Sequence, residues 1–336
     1  MKIRFFNVVL CSLVLSVANC SVGPDYHHQN GWAPATWPKT DQQSEYALHH
    51  VVAGRLDPQW WRCFNDPLLT QLEERAVSAN LDVQMATQRL VAGRAQLLIA
   101  GAARFPTLGG SAAFQKTQYS QKFFQRGLEE IKNREPILGN VVNPSDIDIP
   151  SFNEWDAALD TSWELDLWGR VRRQYESAHA LLQASEEDRR GILIAQLAEI
   201  ARNYITLRGL QAQLSIVKQN ETVALQILQL AKERFRGGLV TELDVHDAES
   251  QLEQTKAEAP RLEQQVVEYI NALGLLLGEP PRALNSELAI ETPIPPTPPV
   301  VPIGFPSELA QRRPDIREAE AKLHSATADI GIAMAD

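Results

Sequence analysis

"EWDAALDTSWELDLWGRVRRQYE", residues 154–176, changes its period part-way along. Up to Trp163 it alternates. Trp155, Ala157, Leu159, Thr161 and Trp163 share one face, and Asp156, Ala158, Asp160, Ser162 and Glu164 share the other. That two-residue repeat is the mark of a strand. Beyond "ELDLWGR" the spacing becomes helical. Val171, Tyr175, Ala178, Leu182, Ser185, Ile192, Leu207, Leu214, Val217, Leu228, Ala231 and Phe235 fall in the three- and four-residue steps of a coiled coil. About 65 residues at 1.5 Å each make roughly 100 Å of helix, more than a compact domain needs.

The strand has a telling length. Trp155 and Trp163 are eight residues apart, about 26 Å in an extended chain. The apolar band of a transmembrane β-barrel is ~25 Å tall between its aromatic girdles. The opposite face carries Asp156, Asp160 and Glu164. In a barrel these acids would face a wet lumen, where they would favour cations. On a soluble sandwich they would simply be solvated. A second alternating run starts at Thr107, with Leu108, Gly110, Ala112 and Phe114 opposed to Thr107, Ser111, Gln115 and Thr117. Two strands cannot close a barrel, because open sheet edges are not tolerated in lipid, so other strands must come from elsewhere.

Before the strands, Leu68 to Ala100 has helical spacing and predicts one helix over residues 67–103, started by Asp66-Pro67. Residues 120–150 are polar and read as a long loop. After the long helix, "RFRGGLVTELDV" (234–245) reads as a turn. Gly237-Gly238 ends one helix and Thr241 caps the next. The returning helix runs to about Leu277, with Pro260 a kink point. Residues 281–306 are Pro-rich and read as an extended linker.

The N-terminus is a targeting signal. Lys2 and Arg4 precede the short apolar run Val8–Val17. "LSVANC" ends at Cys20 and resembles a bacterial lipobox, although Asn19 stands where a small residue is usual. On that reading Cys20 carries a covalent lipid, and Ser21 after it suits outer-membrane sorting. The alternative is an ordinary signal peptide cut nearby. Cys63 is then left without an intramolecular partner and reads as a small packing residue. Net charge is −10, which argues against a nucleic-acid partner. The sequence has no GxSxG, HExxH, CxxC or P-loop motif. Its histidines lack ligand spacing. The expectation is no enzyme activity, no metal and no cofactor beyond the lipid.

The chain also repeats itself. At an offset of 233, Asp82, Ala86, Leu90, Ala95, Ile99 and Ala102 meet Asp315, Ala319, Leu323, Ala328, Ile332 and Ala335 without a gap. The first copy continues into strands, whereas the second stops at Asp336. The expectation is an incomplete sequence or a truncated gene product. A half-length protein that oligomerises to supply the rest is the alternative.

"CSVGPDY", "WWRCFNDPLL", "SWELDLWGRVRRQYE", "ERFRGGLVTELDVHDAES", "LGLLLGEPP" and "PSELAQRRPDIREAEAKL" resemble the outer-membrane efflux protein family. They are similar to its NodT-type lipoproteins, relatives of TolC and OprM that serve resistance-nodulation-division pumps. The resemblance implies a mainly α fold with a few β-strands. Long coiled-coil hairpins would form a periplasmic tunnel, and the strands would join a shared transmembrane barrel. It implies a homotrimer in the outer membrane, working with a periplasmic adaptor and an inner-membrane pump. The first of two structural repeats would be nearly complete and the second only begun. On this reading residues 1–19 are signal and 20–66 an extended segment from the anchor. The first repeat is 67–280, with strands at about 106–119 and 152–165 and a hairpin at about 166–278. Residues 281–306 are the linker, and 307–336 open the second repeat. By resemblance Gly237, Gly238, Leu239, Val240 and Thr241 meet the adaptor, and Asp244 stands where a TolC aspartate helps close the entrance. Local geometry offers Asp244 a plainer role, as a cap on the returning helix. The competing function is a lipid-anchored periplasmic coiled coil that tethers or adapts, or a non-functional truncated product.

Overall fold

The computed structural model describes residues 21–28, 51–52, 57–134, 150–296, 301–302 and 305–336. The chain divides into two compact units, residues 101–166 and the remainder.

The larger unit is helical. Its first helix, α1 (Pro67–Ala79), starts where Asp66 Oδ1 accepts hydrogen bonds from the Leu68 and Leu69 amides at 2.9 and 3.0 Å, with Pro67 at the first position. A second helix, α2 (Leu81–Ala102), follows at once. The single helix expected over 67–103 is therefore two. Asn80 breaks it: its backbone is extended, with ψ 127°. Its Oδ1 accepts from Val83 N–H at 3.0 Å, and its Nδ2 donates to the Leu276 carbonyl at 2.7 Å. One side chain thus caps a new helix and ties it to a distant segment.

The smaller unit, residues 101–166, holds two antiparallel strands, β1 (Thr107–Thr117) and β2 (Phe152–Ser162), paired from Thr107↔Ser162 to Thr117↔Phe152. Both stop short of the expected limits, so Trp163 and Glu164 lie beyond the end of β2. The connection between them, expected to be a loop, contains helix α3 (Gln121–Arg134). Phe123, Phe124 and Ile131 supply the helical spacing there, diluted by the polar residues around them.

The long helix α4 (Arg170–Arg236) has 67 residues and begins after Gly169, which takes the left-handed φ of 85°. The returning helix α5 (Glu242–Leu276) continues through Pro260, whose side is exposed. Leu214, Val217 and Leu262 bury one stretch of the seam between them, and Ala224, Leu228, Val245 and Leu252 another. Lys218–Glu263 and Lys232–Glu249 bridge the same seam at 3.3 and 2.9 Å.

The main core lies where α1 meets this hairpin. Leu69, Leu72 and Ala76 pack with Ile200, Tyr204, Leu207, Leu273 and Leu277. Trp61, in a 3-10 turn over Trp60–Phe64, closes one side. Cys63 in the same turn is exposed, contrary to the packing role expected of it. Leu284 and Leu288 close another side. The latter lies in the one-turn helix α6 (Asn285–Leu288), so this part of the linker expected to run extended belongs to the core. Arg208, fully buried, donates to the Ile290 carbonyl at 2.8 Å, and Gln211 Nε2 donates to the Leu288 carbonyl at 2.7 Å. Residues 51–52 and 301–302 form a short parallel bridge.

Two helices end the described chain, α7 (Pro306–Arg312) and α8 (Pro314–Ala335). Their bounds carry the repeat into three dimensions. Moved by the offset of 233, Leu81–Ala102 falls on Pro314–Ala335 and the break at Asn80 on Arg313. The two break residues share a conformation, φ −61°, ψ 127° and φ −62°, ψ 124°. The buried faces nevertheless differ. In α2, Val83, Ala86 and Leu90 are buried. In α8, Ala321, Ser325, Ala328 and Gly331 are buried, while Ile316, Leu323 and Ile330 are exposed. The small face of α8 lies antiparallel on the start of α4, over Arg173, Ser177, Ala180, Ala184 and Glu187. Small side chains permit that close approach, and Ser177 Oγ bonds Ser325 Oγ at 2.9 Å and Asp329 Oδ1 at 2.8 Å.

Candidate functional site

Three places gather the residues singled out in the sequence. The first is the hairpin tip. Leu239 N–H donates to the Arg234 carbonyl at 3.0 Å, which folds the chain back over the last turn of α4. Gly238 sits at φ 70°, where a Cβ is strained. Asp244 Oδ2 then accepts from Thr241 N–H at 2.7 Å and from Thr241 Oγ1 at 2.6 Å. Those bonds from Thr241 hold the Asp244 carboxyl below its ordinary range. Asp244 therefore reaches back to fasten the start of α5. Leu239 and Leu243 project at the tip, 77% and 68% exposed, while Val240 is half-buried.

The second place is the strand pair. Trp155 lies across from Phe114, their rings 4.6 Å apart, on the face that includes Leu108 and Leu159. The opposite face holds Asp156 across from Ala113 and Asp160 across from Gly109. Glu154, across from Gln115, belongs to the same face and was not singled out in the sequence, although extending the alternation by one step finds it. Glu164 falls outside the ladder. Trp163 Nε1 donates to the Arg104 carbonyl at 3.2 Å, pinning the indole beside the start of β1. The small residue opposite Asp160 has a steric purpose. A Cβ on Gly109 would stand 2.5 Å from Asp160 Oδ1. Gly109→Val is expected to swing the Asp160 carboxylate off this face. With Asp160→Cys as the reporter in a Cys11→Ser, Cys20→Ser, Cys63→Ser background, a thiol-reactive probe in the aqueous phase should label the cysteine several-fold more slowly when Gly109→Val is added; equal rates would refute the steric role.

The third place is the segment after Cys20. Cys20 itself lies outside the described residues. Val22 N–H donates to the Trp168 carbonyl at 3.0 Å. Arg173, only 3% exposed, donates to the Val22 and Gly23 carbonyls, both at 3.3 Å, to Asp25 Oδ1 at 2.7 Å and to Glu176 Oε2 at 2.8 Å. Gly23 (φ 94°) lies against Gly331, where a Cβ would come within 2.5 Å of the Gly331 Cα. Tyr26 stacks on His324 at 4.3 Å and donates to Glu320 Oε1 at 2.6 Å. Burial, with that carboxylate, pushes the phenol up to about 12. His324 meets Glu176 at 3.0 Å, and His28 meets Glu320. "VGPDY" is thus a buckle across α4 and α8. The sequence marks it only as a motif, because its partners are some 150 and 300 residues away.

Among the described residues no group of three His, Cys, Asp or Glu is placed to hold a metal ion. No described helix is long and apolar enough to cross a membrane.

A family model described as "Outer membrane efflux protein" matches residues 72–279. The chain belongs to this family. Among curated relatives, this outer-membrane efflux protein is 30% identical to the pyoverdine export outer membrane protein OpmQ of Pseudomonas aeruginosa over 334 residues, covering 98% of this chain and 64% of OpmQ. It is 31% identical to nodulation protein T of Rhizobium leguminosarum bv. trifolii over 340 residues, covering 100% of this chain and 65% of that protein. Among solved structures, the outer-membrane channel OprN superposes with a TM-score of 0.75 at 33% identity, over 94% of this chain and 64% of OprN. The chain thus spans less than two thirds of the length of these relatives.

Proposed function

We propose that this efflux-family chain contributes strands and helices to a passive conduit through the outer membrane, as one subunit of a trimer. The carrying observation is the strand pair. One face bears Trp155, Phe114 and Leu159, suited to lipid, and the other bears Asp156 and Asp160 across from Ala113 and Gly109, with Glu154 across from Gln115, suited to water. Helix α4 follows β2 directly in sequence and provides the length to extend into the periplasm. The family membership supports the same reading.

In this mechanism no bond is made or broken. The acidic face offers cations a favourable lining. A lipid on Cys20 anchors the chain beside the buckle. The exposed Leu239 and Leu243 at the tip are the surface offered to a periplasmic adaptor, with Gly237, Gly238, Val240 and Thr241 shaping it. An inner-membrane pump supplies energy. Asp244 acts as a cap and stands by resemblance at the entrance gate.

The expected result is a heat-modifiable trimer in outer-membrane fractions. Recovery of Cys20→Ala as a soluble monomer would instead favour the tether or adaptor reading.

A further inference from the structure

Helix α3 has no role in the conduit just described. Only three residues separate it from Thr117, at the end of the strand pair away from its connections to the rest of the chain. Tyr119 holds it there, with its ring 6.4 Å from Phe124 and 6.3 Å from Phe152. Phe123, Phe124, Gly127 and Ile131 fall on one face by helical spacing. Phe123 is 74% and Ile131 53% exposed, and nothing lies within 4 Å of a Cβ placed on Gly127. The face is apolar up to its C-terminal end, where Arg134 pairs with Glu130 at 3.2 Å. Lys122 and Arg126 occupy the other side, one turn apart, with the single carboxylate of Glu129 a turn further on. The helix sequence carries four cationic residues against two carboxylates, in a chain whose net charge is −10.

We infer that α3 lies in the plane of the outer leaflet and recognises an anionic, phosphate-bearing lipid surface. Phe123, Phe124 and Ile131 enter the acyl boundary, and Lys122 and Arg126 face the headgroup phosphates. A strongly two-sided helix with aromatics on one face and Lys or Arg on the other binds such interfaces by apolar burial plus electrostatic attraction. Its local positive excess complements that surface, and the Tyr119–Phe124–Phe152 cluster continues the aromatic edge of a membrane-spanning hairpin. This rests on the proposal that the strand pair crosses the membrane.

The test uses the full chain in a Cys11→Ser, Cys20→Ser, Cys63→Ser background with one fluorophore at a time, on Ile131→Cys, Asn133→Cys or Leu159→Cys. It is reconstituted into phosphatidylcholine vesicles with or without phosphatidylglycerol, each containing a shallow nitroxide lipid. In anionic vesicles the nitroxide should quench the Ile131 probe and spare the Asn133 probe. Combined Lys122→Glu and Arg126→Glu should lower the embedded-to-free ratio of the Ile131 probe roughly tenfold. If Leu159 is quenched and Ile131 is not, the inference fails while the conduit reading stands. If neither is quenched, both fail. Equal quenching in neutral vesicles, unchanged by charge reversal, overturns the recognition of anionic lipid. Shielding of Ile131 from aqueous quencher without nitroxide quenching means that protein covers the face, which also overturns it.

Discussion

Glu73→Gln should flatten the dependence of this protein's stability on pH. Glu73 is fully buried in α1, and neither carboxylate oxygen has a hydrogen-bond partner among the described residues. Burial pushes its carboxyl up to about 8. In the unfolded chain the group ionises near its ordinary value of 4.5. Between those values the folded state holds a proton that the unfolded state has released, so stability falls as pH rises. The stabilising difference is fully present below pH 4.5, and above pH 8 the penalty levels off. The slope through the window is about 1.4 kcal/mol per pH unit. Urea denaturation, followed by far-UV circular dichroism at pH 5 to 9, should show a midpoint that declines with pH in the native chain and is nearly level in the variant. Parallel curves for the two would show that Glu73 is hydrated or paired in solution. Glu73→Met should go further and raise stability across the whole range, since it also removes two unpartnered polar atoms from the core.

Arg173→Ala should open the buckle. Its guanidinium reaches Val22, Gly23, Asp25 and Glu176 together. Its removal leaves two carbonyls without those donors and Glu176 with only His324 of its two partners. A loss of about 2 kcal/mol is expected, the order of a lost hydrogen bond to a charged group, because the carboxylates left behind are 74% (Asp25) and 32% (Glu176) exposed and stay hydrated. The effect should be local. Limited proteolysis should cut residues 21–28 at least tenfold faster, while the α1–α4–α5 core keeps its protection. Arg173→Lys should rescue little, because one ammonium cannot span the fork of contacts. Unchanged protease resistance would mean that Tyr26 and Val22 hold the segment unaided.

The two variants probe features of very different visibility. Strand alternation is plain from Trp155 to Trp163, and with it the faces of Asp156 and Asp160, because each depends on neighbours two residues away. The Gly237-Gly238 turn, the start of α1 at Asp66-Pro67 and the length of the long hairpin are equally local. Helix α3 escapes a reading of the sequence because its apolar residues are few and widely diluted. The break at Asn80 escapes it too, because a mid-helix Asn breaks a helix only when its side chain has better bonds to make. Here that bond is to the Leu276 carbonyl, 196 residues away.

Sequence alone determines the class of this protein: long coiled-coil helices, a strand with an apolar face and an acid face, and a repeat at a fixed offset. These follow from periodicities of two, three or four residues, which backbone geometry converts directly into faces. Tertiary structure decides which faces meet. In α8 the larger side chains Ile316, Leu323 and Ile330 stay exposed, and the stripe Ala321, Ser325, Ala328 and Gly331 is buried. Arg173 and Ser177 are buried as its counterparts, and Leu284 and Leu288 leave the linker for the core. The reason is physical: close approach of two helices rewards small side chains with dispersion contacts and with hydrogen bonds between short polar groups, and that reward exists only once the partner, far away in sequence, is in place.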